Sequence, residues 1–207
     1  MTVRRDVAQD NRVVVEDPPI ARLLFNDTRL AWLWLPLRLY VGWQWLEAGR
    51  EKMANPVWFG PTAGGAITGF VKGALAKTGG DHPDVTSWYA GFLQNVVLPN
   101  AHTWSYMISL GELLVGIALI LGAFTGIAAF FGSFMNANYL LSGTVSTNPI
   151  LFFIATWLVL AWKTAGWIGL DRFLLPALGT PWRRGWLTGA HEEAPRGTLA
   201  EPGRPAR

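Results

Sequence analysis

The sequence predicts an all-α integral membrane protein, built as a four-helix transmembrane bundle with two short amphipathic helices in the outer loop between spans one and two. Four mainly apolar runs of about 18 to 22 residues reach the length that crosses a hydrocarbon core about 30 Å thick. Of the 207 residues, 51% are hydrophobic, 15% are charged and twelve are tryptophan. A soluble helical bundle would not need four such uninterrupted runs, so we expect one membrane domain with short tails.

The four predicted spans cover residues 30–48, 105–122, 126–143 and 150–168. Only a tight hairpin fits between spans two and three, so these helices must pack antiparallel. We therefore divide the chain into an N-terminal tail (1–29), a membrane domain (30–176, with its outer loop at 50–104) and a C-terminal tail (177–207). Proline, glycine and arginine accumulate in the last segment, a composition that favours disorder.

The distribution of basic residues predicts the orientation. The segments before span one and after span four hold eleven arginines, whereas the long connection between spans one and two holds four lysines and arginines. Because basic residues are retained on the cytoplasmic side, both termini are expected there. The first 29 residues contain no apolar segment ahead of a cleavage site, so the first span is expected to direct insertion. The net charge of +3 then reflects topology, and no nucleic-acid partner is predicted.

The long outer loop contains two helical patterns. Apolar residues recur at helical spacing from Ile67 to Leu75, and again from Val85 to Val96. Asp84 is a candidate N-cap for the second helix, and Pro99 a candidate end. Such helices can either rest on lipid or cover the bundle as a lid, and the pattern does not decide between the two.

The rare residue types exclude several chemistries. There is no cysteine, which excludes thiolate catalysis and cysteine-ligated iron–sulfur clusters. No histidine pair lies within the spans to ligate haem, so no haem is expected. His82, Asp84 and His102 do not have the spacing of a metal site, and no metal is predicted.

Polar residues within the spans mark the candidate site. Arg38 lies about 12 Å deep from the inner end of span one, and Glu112 about 10 Å below the outer boundary. We expect these two side chains to meet and neutralise each other, with Asn136 and Asn138 at similar depth. Glu47 points away near the outer boundary.

Two interpretations of these polar residues remain open. They can be interhelical hydrogen bonds worth about 0.6 to 2 kcal/mol each, or they can line a pocket that binds a headgroup or relays protons. Glycine and serine residues accompany Glu112 and Asn136 at four-residue spacing, which favours their facing the bundle interior. Lys163, beside Trp162, is expected to anchor span four at the interface.

Several motifs resemble one family. Arg38, Gly42, Gly49 and Lys52 resemble the R-x3-G…G-x2-K signature of the DoxX family of four-helix membrane proteins, and Gly111-Glu112 with Gly116 resembles its second helix. The second half is similar to the DoxD branch, the membrane subunit of thiosulfate:quinone oxidoreductase. It carries four motifs in order: MNANYLLSG at 135–143, TNP at 147–149, AWKTAG at 161–166 and GLDRFLLP at 169–176.

The resemblance implies a subunit of a thiosulfate dehydrogenase (quinone) in the plasma membrane of a bacterium or archaeon. It would oxidise thiosulfate to tetrathionate, pass the electrons to membrane quinone and work with a separate DoxA-like small subunit. A quinone carbonyl needs hydrogen-bond donors in an apolar pocket. We therefore predict Arg38, Asn136 and Asn138 as quinone-binding residues, and Glu112 and Arg38 as catalytic. The alternative is a non-catalytic DoxX-type scaffold for redox or detoxifying partner proteins.

Overall fold

The computed structural model describes residues 17–179, and this part of the chain is all-helical, without a β-strand. The sequence predictions for residues 1–16 and 180–207 lie outside the described residues. The helices are α1 (Pro19–Asn26), α2 (Ala31–Ala54), α3 (Gly65–Leu75), α4 (Ser87–Phe92), α5 (Ala101–Leu121), α6 (Thr125–Leu141), α7 (Asn148–Leu160) and α8 (Asp171–Ala177).

The four long helices α2, α5, α6 and α7 form a bundle. Helix α2 packs mainly on α5, and α6 on α7, with further contacts between α5 and α6 and between α2 and α7. Trp34, Val41, Leu119, Ala129 and Leu158 are among the residues of the buried core. Large apolar side chains also remain exposed on the outside of all four helices: Trp43, Leu114, Phe130 and Phe153 are examples. An exposed apolar surface of this extent is typical of a protein surrounded by an apolar partner or solvent.

One helical stretch meets the length and composition expected of a membrane span. It runs continuously over Ser87–Leu121, 35 residues, through α4 and α5. Helix α7 is also apolar but has only 13 residues. Helix α2 has 24 residues and includes Glu47, Arg50, Glu51 and Lys52, which lower its mean hydropathy. The described structure therefore establishes an all-helical protein with one apolar helix of spanning length.

The fourth predicted span is the one whose boundaries differ most. Helix α7 ends at Leu160, and residues 161–170 form consecutive turns instead of continuing to 168. The amides of Thr164 and Ala165 both donate to the carbonyl of Ala161 at 2.8 Å, which forms a tight turn after α7. Residues 161–168 include Lys163 and Thr164 beside apolar residues and a glycine, and this composition does not reveal the change from helix to turns.

In the outer loop, the prediction of a helix around Ile67 to Leu75 is confirmed by α3. The second predicted helix differs at both ends. Thr86 rather than Asp84 precedes α4, and Pro99 does not end the helix. A π-helical turn (Leu93–Val97) and a 3₁₀ turn (Leu98–Asn100) carry the chain into α5. Proline has no amide hydrogen to donate, so a local change of helix type accommodates it without a break.

Helices α3 and α4 pack against the bundle. Ile67, Val71, Tyr89 and Leu93 form a second buried core with neighbouring residues of α3, α4 and the beginning of α5. The ammonium of Lys77 donates to the carbonyl of Gly143 at 2.6 Å, which ties α3 to the end of α6. Of the two possibilities for this loop, the packing favours a lid over the bundle.

Residues 19–29, assigned to the N-terminal tail from sequence, are mostly helical. Helix α1 begins after Pro18 with Pro19 at its first turn, a position where the missing amide hydrogen is tolerated. Phe25 contacts Trp34 and Trp157 with ring centroids 5.9 and 5.8 Å apart. The indole of Trp34 donates to the carbonyl of Leu24 at 3.1 Å. This segment therefore packs on the ends of α2 and α7.

The crossing of α2 and α5 depends on two glycines. A Cβ atom at Gly49 would overlap the backbone of Leu113, and one at Gly116 would overlap the backbone of Leu46. Small residues let helix backbones approach this closely. The prediction that Gly116 lies on an inward face is confirmed, and the close approach brings the residues beside these glycines together.

Candidate functional site

A buried ion pair lies immediately beyond this crossing. The ammonium of Lys52, one turn after Gly49, lies 2.7 Å from Oε2 of Glu112. The side chain of Glu112 is 1% exposed and that of Lys52 is 19% exposed. The Lys52 ammonium also lies 5.0 Å from the centre of the Trp58 ring. An ionised carboxylate needs such a partner where water is excluded.

The second oxygen of Glu112 is bound from a third helix. The hydroxyl of Tyr139 on α6 donates to Oε1 of Glu112 at 2.5 Å, the short distance expected when a hydroxyl binds a carboxylate. The Tyr139 ring lies between Phe70 and Trp45, at centroid distances of 6.0 and 6.5 Å. Helices α2, α5 and α6 thus contribute one side chain each to a continuous polar chain.

Tyr139 also lines a cavity of about 120 Å³ between the outer helices and the bundle. Four of its lining residues are Tyr89, Asn138, Tyr139 and Ser142, and the others are apolar: Ile67, Phe70, Phe92, Leu93, Val97, Trp104, Ile108, Phe134 and Met135. The π-helical turn Leu93–Val97 supplies part of the wall, in keeping with the frequent occurrence of such turns at functional sites. The cavity is therefore apolar, with a few polar groups on the α6 side.

Asn138 lines this cavity and makes hydrogen bonds through both atoms of its side-chain amide. Its side-chain oxygen accepts from the Tyr89 hydroxyl at 2.9 Å, and its amide nitrogen donates to the carbonyl of Phe134 at 2.8 Å. Ser142 donates to the backbone carbonyl of Asn138 at 2.8 Å. A side-chain amide has two hydrogens, and only one of those on Asn138 is used in these bonds. The other has no acceptor among the described residues.

The structure separates Arg38 from Glu112, so the expectation that they neutralise each other is wrong. Arg38 is 2% exposed, and its guanidinium donates to the carbonyls of Ala165 and Ile168 at 2.9 and 2.8 Å. It lies against Gly122 at the end of α5, ten residues or about 15 Å along the helix from Glu112. The turns at 161–170 place backbone carbonyls within reach of Arg38. Lys52, and not Arg38, is the cation that lies beside Glu112.

The remaining polar residues lie in different environments. Asn136 is fully buried, and neither atom of its amide has a hydrogen-bond partner among the described residues. It does not line the cavity that Asn138 lines. Glu47 is 42% exposed and 3.8 Å from Arg50, away from Arg38 as predicted. The ammonium of Lys163 donates to Asn26 at 3.0 Å, so it anchors α1.

No group of three potential metal ligands occurs in residues 17–179, and His82, Asp84 and His102 do not form one. Asp171 is the other buried carboxylate of the bundle. Its two oxygens accept from the amides of Phe124 and Thr125 at 2.5 and 2.9 Å. Asp171 borders a second, larger apolar pocket near the end of α8. Both of its oxygens are already bonded to the backbone, which leaves the buried hydroxyl of Thr125 as the polar group of this pocket without a partner among the described residues.

Two residues that complete the polar chain were not included in the sequence-predicted site. Lys52 shares a helical face with Arg38, Gly42 and Gly49, and Tyr139 shares one with Asn136. The glycines of α2 and α5 were the sequence signal that could have identified these residues. Glycines let two helix backbones approach closely, which brings the nearest polar side chains into contact. The sequence did not indicate which buried cation would meet Glu112.

The fold and this site define a helical protein with an apolar cavity beside a buried chain of ionisable groups. A family model described as TQO small subunit DoxD matches residues 33–188. The chain therefore belongs to the DoxD family, as the motifs predicted. No match was found among curated proteins, and none among solved structures.

Proposed function

We propose that this protein is the quinone-linked subunit of a membrane oxidoreductase, which oxidises thiosulfate to tetrathionate and passes the electrons to membrane quinone. The family description, a small subunit of such an enzyme, supports the reaction class. The observation that carries the proposal is the apolar cavity whose wall includes Tyr139, hydrogen-bonded to the buried carboxylate of Glu112.

We propose that the protein resides in the plasma membrane of a bacterium or archaeon. Helices α2, α5, α6 and α7 cross the bilayer, with both termini on the cytoplasmic side and α3 and α4 outside. The apolar side chains exposed on all four helices support this arrangement, as does the excess of basic residues in the two tails.

The cavity suits the ring of a quinone. Its volume of about 120 Å³ is comparable to the roughly 150 Å³ of an apolar cavity known to bind benzene. The flat aromatic walls pack against a ring, and the free amide hydrogen of Asn138 binds a carbonyl oxygen. Quinone supplies two-electron acceptor chemistry when bound; the protein supplies the donor, the apolar walls and the exclusion of water.

In this site Asn138 orients the ring, and Tyr139 and Glu112 handle protons. Arg38 and Asn136, which the sequence also assigned to quinone binding, do not line the cavity, and the proposed site does not use them. A DoxA-like partner subunit belongs to the proposal because a chain without cysteine has no thiol of its own for the sulfur chemistry.

The test is thiosulfate-dependent reduction of a soluble quinone by the purified protein, with and without a co-encoded partner. Glu112→Gln and Tyr139→Phe should each lower turnover about 100-fold, the range typical of lost acid–base catalysis. The matched controls are Glu47→Gln and Tyr40→Phe, which alter exposed or half-exposed side chains outside the cavity.

We expect the two controls to retain wild-type turnover. If the folded wild-type protein reduces no quinone in either preparation, the oxidoreductase proposal is wrong and the alternative of a non-catalytic scaffold for partner proteins gains support. If the protein turns over but the two site variants are as active as the controls, the enzyme assignment stands and the cavity assignment fails.

A further inference from the structure

The polar chain from the cavity leads to one particular end of the molecule. Tyr139 contacts Glu112 at 2.5 Å, and Glu112 contacts Lys52 at 2.7 Å. From Glu112 to Lys52 the exposed fraction of the side chain rises from 1% to 19%. Lys52 lies in the last turn of α2, at the end of the bundle that α3 and α4 cover. The chain therefore joins the cavity wall to solvent at this α3–α4 end.

The opposite end, where α1 and α8 lie, has no comparable chain among the described residues. Arg38 and Asp171 are the buried charged groups there. Arg38 binds backbone carbonyls, and Asp171 binds backbone amides. Neither group contacts Tyr139 or Glu112, and the distance along α5 from Gly122 to Glu112 is about 15 Å. Core residues such as Val115 and Leu119 fill the intervening turns of α5.

We infer that the protons consumed in quinone reduction enter from the α3–α4 end, through Lys52, Glu112 and Tyr139. This inference rests on the proposed function. The overall reaction is two thiosulfate ions, one quinone and two protons giving one tetrathionate ion and one quinol. Two sulfur atoms, one from each thiosulfate, join in a new S–S bond, and the two electrons released reduce the quinone. The two protons complete the two hydroxyl groups of the quinol.

Each proton transfer involves a defined atom of the chain. As the ring is reduced, the Tyr139 hydroxyl turns away from Oε1 of Glu112, breaking that hydrogen bond, and gives its proton to a carbonyl oxygen in the cavity. The Lys52 ammonium protonates Oε2 of Glu112, whose carboxyl group rotates and returns a proton to the Tyr139 oxygen. Water at the α3–α4 end then reprotonates Lys52. The same four transfers supply the second proton.

The experiment measures from which side of a membrane protons disappear. The complete protein, with its partner subunit, is reconstituted into sealed vesicles with thiosulfate and a lipid-soluble quinone. A pH-sensitive dye is placed either inside or outside the vesicles. The orientation is assigned with Lys72→Cys, an exposed position on α3, using a maleimide that cannot cross the membrane. We expect two protons per quinone to disappear from the compartment that α3 faces.

Uptake from the other compartment, with normal turnover, would overturn the inference and leave the proposed function intact. Absence of turnover in the wild type would overturn the proposed function, and the inference with it. The two failures are therefore distinguishable.

Lys52→Arg separates proton transfer from charge. Arginine keeps the positive charge beside Glu112 but does not release a proton at ordinary pH. We expect this variant to fold, and to turn over about 100-fold more slowly than the wild type. Lys72→Arg is the matched control on the exposed face of α3 and should retain full turnover. Full turnover by folded Lys52→Arg would mean that Lys52 acts only as a charge, which would contradict the inference.

Discussion

At the scale of single residues, the buried charges of the bundle have two distinct roles. Lys52 and Glu112 pair with each other beside a cavity, whereas Arg38 and Asp171 bind the backbone. Phe124 has a positive φ of 48°, a region that a residue with a bulky side chain enters only when its surroundings hold it there. The amides of Phe124 and Thr125 donate to the two oxygens of Asp171, and these bonds hold this turn and cap α6.

The Asp171 cap can be tested by removing its charge. Asp171→Asn keeps the size of the side chain but replaces one acceptor oxygen by a donor, which then faces a backbone N–H. We expect a loss of about 1–3 kcal/mol in stability, because a buried donor is left without an acceptor. Thermal unfolding in detergent measures it, with the exposed Asp81→Asn as control. Equal unfolding temperatures in the two variants would show that the cap is dispensable.

A single substitution can also test the role of Asn136. Its amide is fully buried without a hydrogen-bond partner among the described residues, a state that costs about 1–3 kcal/mol. Asn136→Ala removes both unpartnered atoms, and alanine is the best helix former. We expect an unchanged or higher unfolding temperature and unchanged quinone reduction. A folded variant that loses turnover would instead support the assignment of Asn136 to quinone binding.

At the scale of helices, the α2–α5 crossing determines whether the ion pair can form. Gly49→Ala and Gly116→Ala each place a methyl group into the backbone of the facing helix, so the helices must separate. Overpacking of this kind costs about 1–3 kcal/mol, and we expect both variants to unfold at a lower temperature. Separation should also lengthen the contact between Lys52 and Glu112 and so lower turnover.

The matched control for these glycines lies on α3. A Cβ atom at Gly73 would meet nothing within 4 Å, and alanine is favoured over glycine in a helix by up to about 1 kcal/mol. Gly73→Ala should therefore raise the unfolding temperature while leaving turnover unchanged. If Gly49→Ala behaved like Gly73→Ala, the close approach of α2 and α5 would not be needed for stability.

The helices also show what a sequence can and cannot predict here. Apolar runs predicted the first three long helices to within a few residues at most ends, and glycine spacing predicted an inward face for Gly116. The end of α7 at Leu160 was missed, since composition does not show whether residues 161–168 form a helix or turns. Arg38 was paired with the wrong group because its partners are backbone carbonyls, which the identity of the residues does not reveal.

At the scale of the whole molecule, the bundle has two unlike ends joined by helices of unequal length. Helix α2 is about 36 Å long, and α7 only about 20 Å, so the turns at 161–170 must complete the passage if α7 crosses a bilayer. Irregular backbone is tolerated at such depth only when its polar groups are satisfied within the protein. Arg38 satisfies the carbonyls of Ala165 and Ile168, which makes a crossing at this position physically acceptable.

This arrangement predicts that α1 and α3 lie on opposite sides of the membrane. Since the chain has no cysteine, single substitutions give an unambiguous label, and Ile20→Cys and Lys72→Cys both fall on exposed positions. In intact cells, a maleimide that cannot cross the membrane should label the α3 position and reach the α1 position only after permeabilisation. Labelling of both positions in intact cells would mean that the two ends share one side, and that an even number of crossings, or none, separates them. In that case α2 would not cross the membrane, and the protein would not be a four-span bundle.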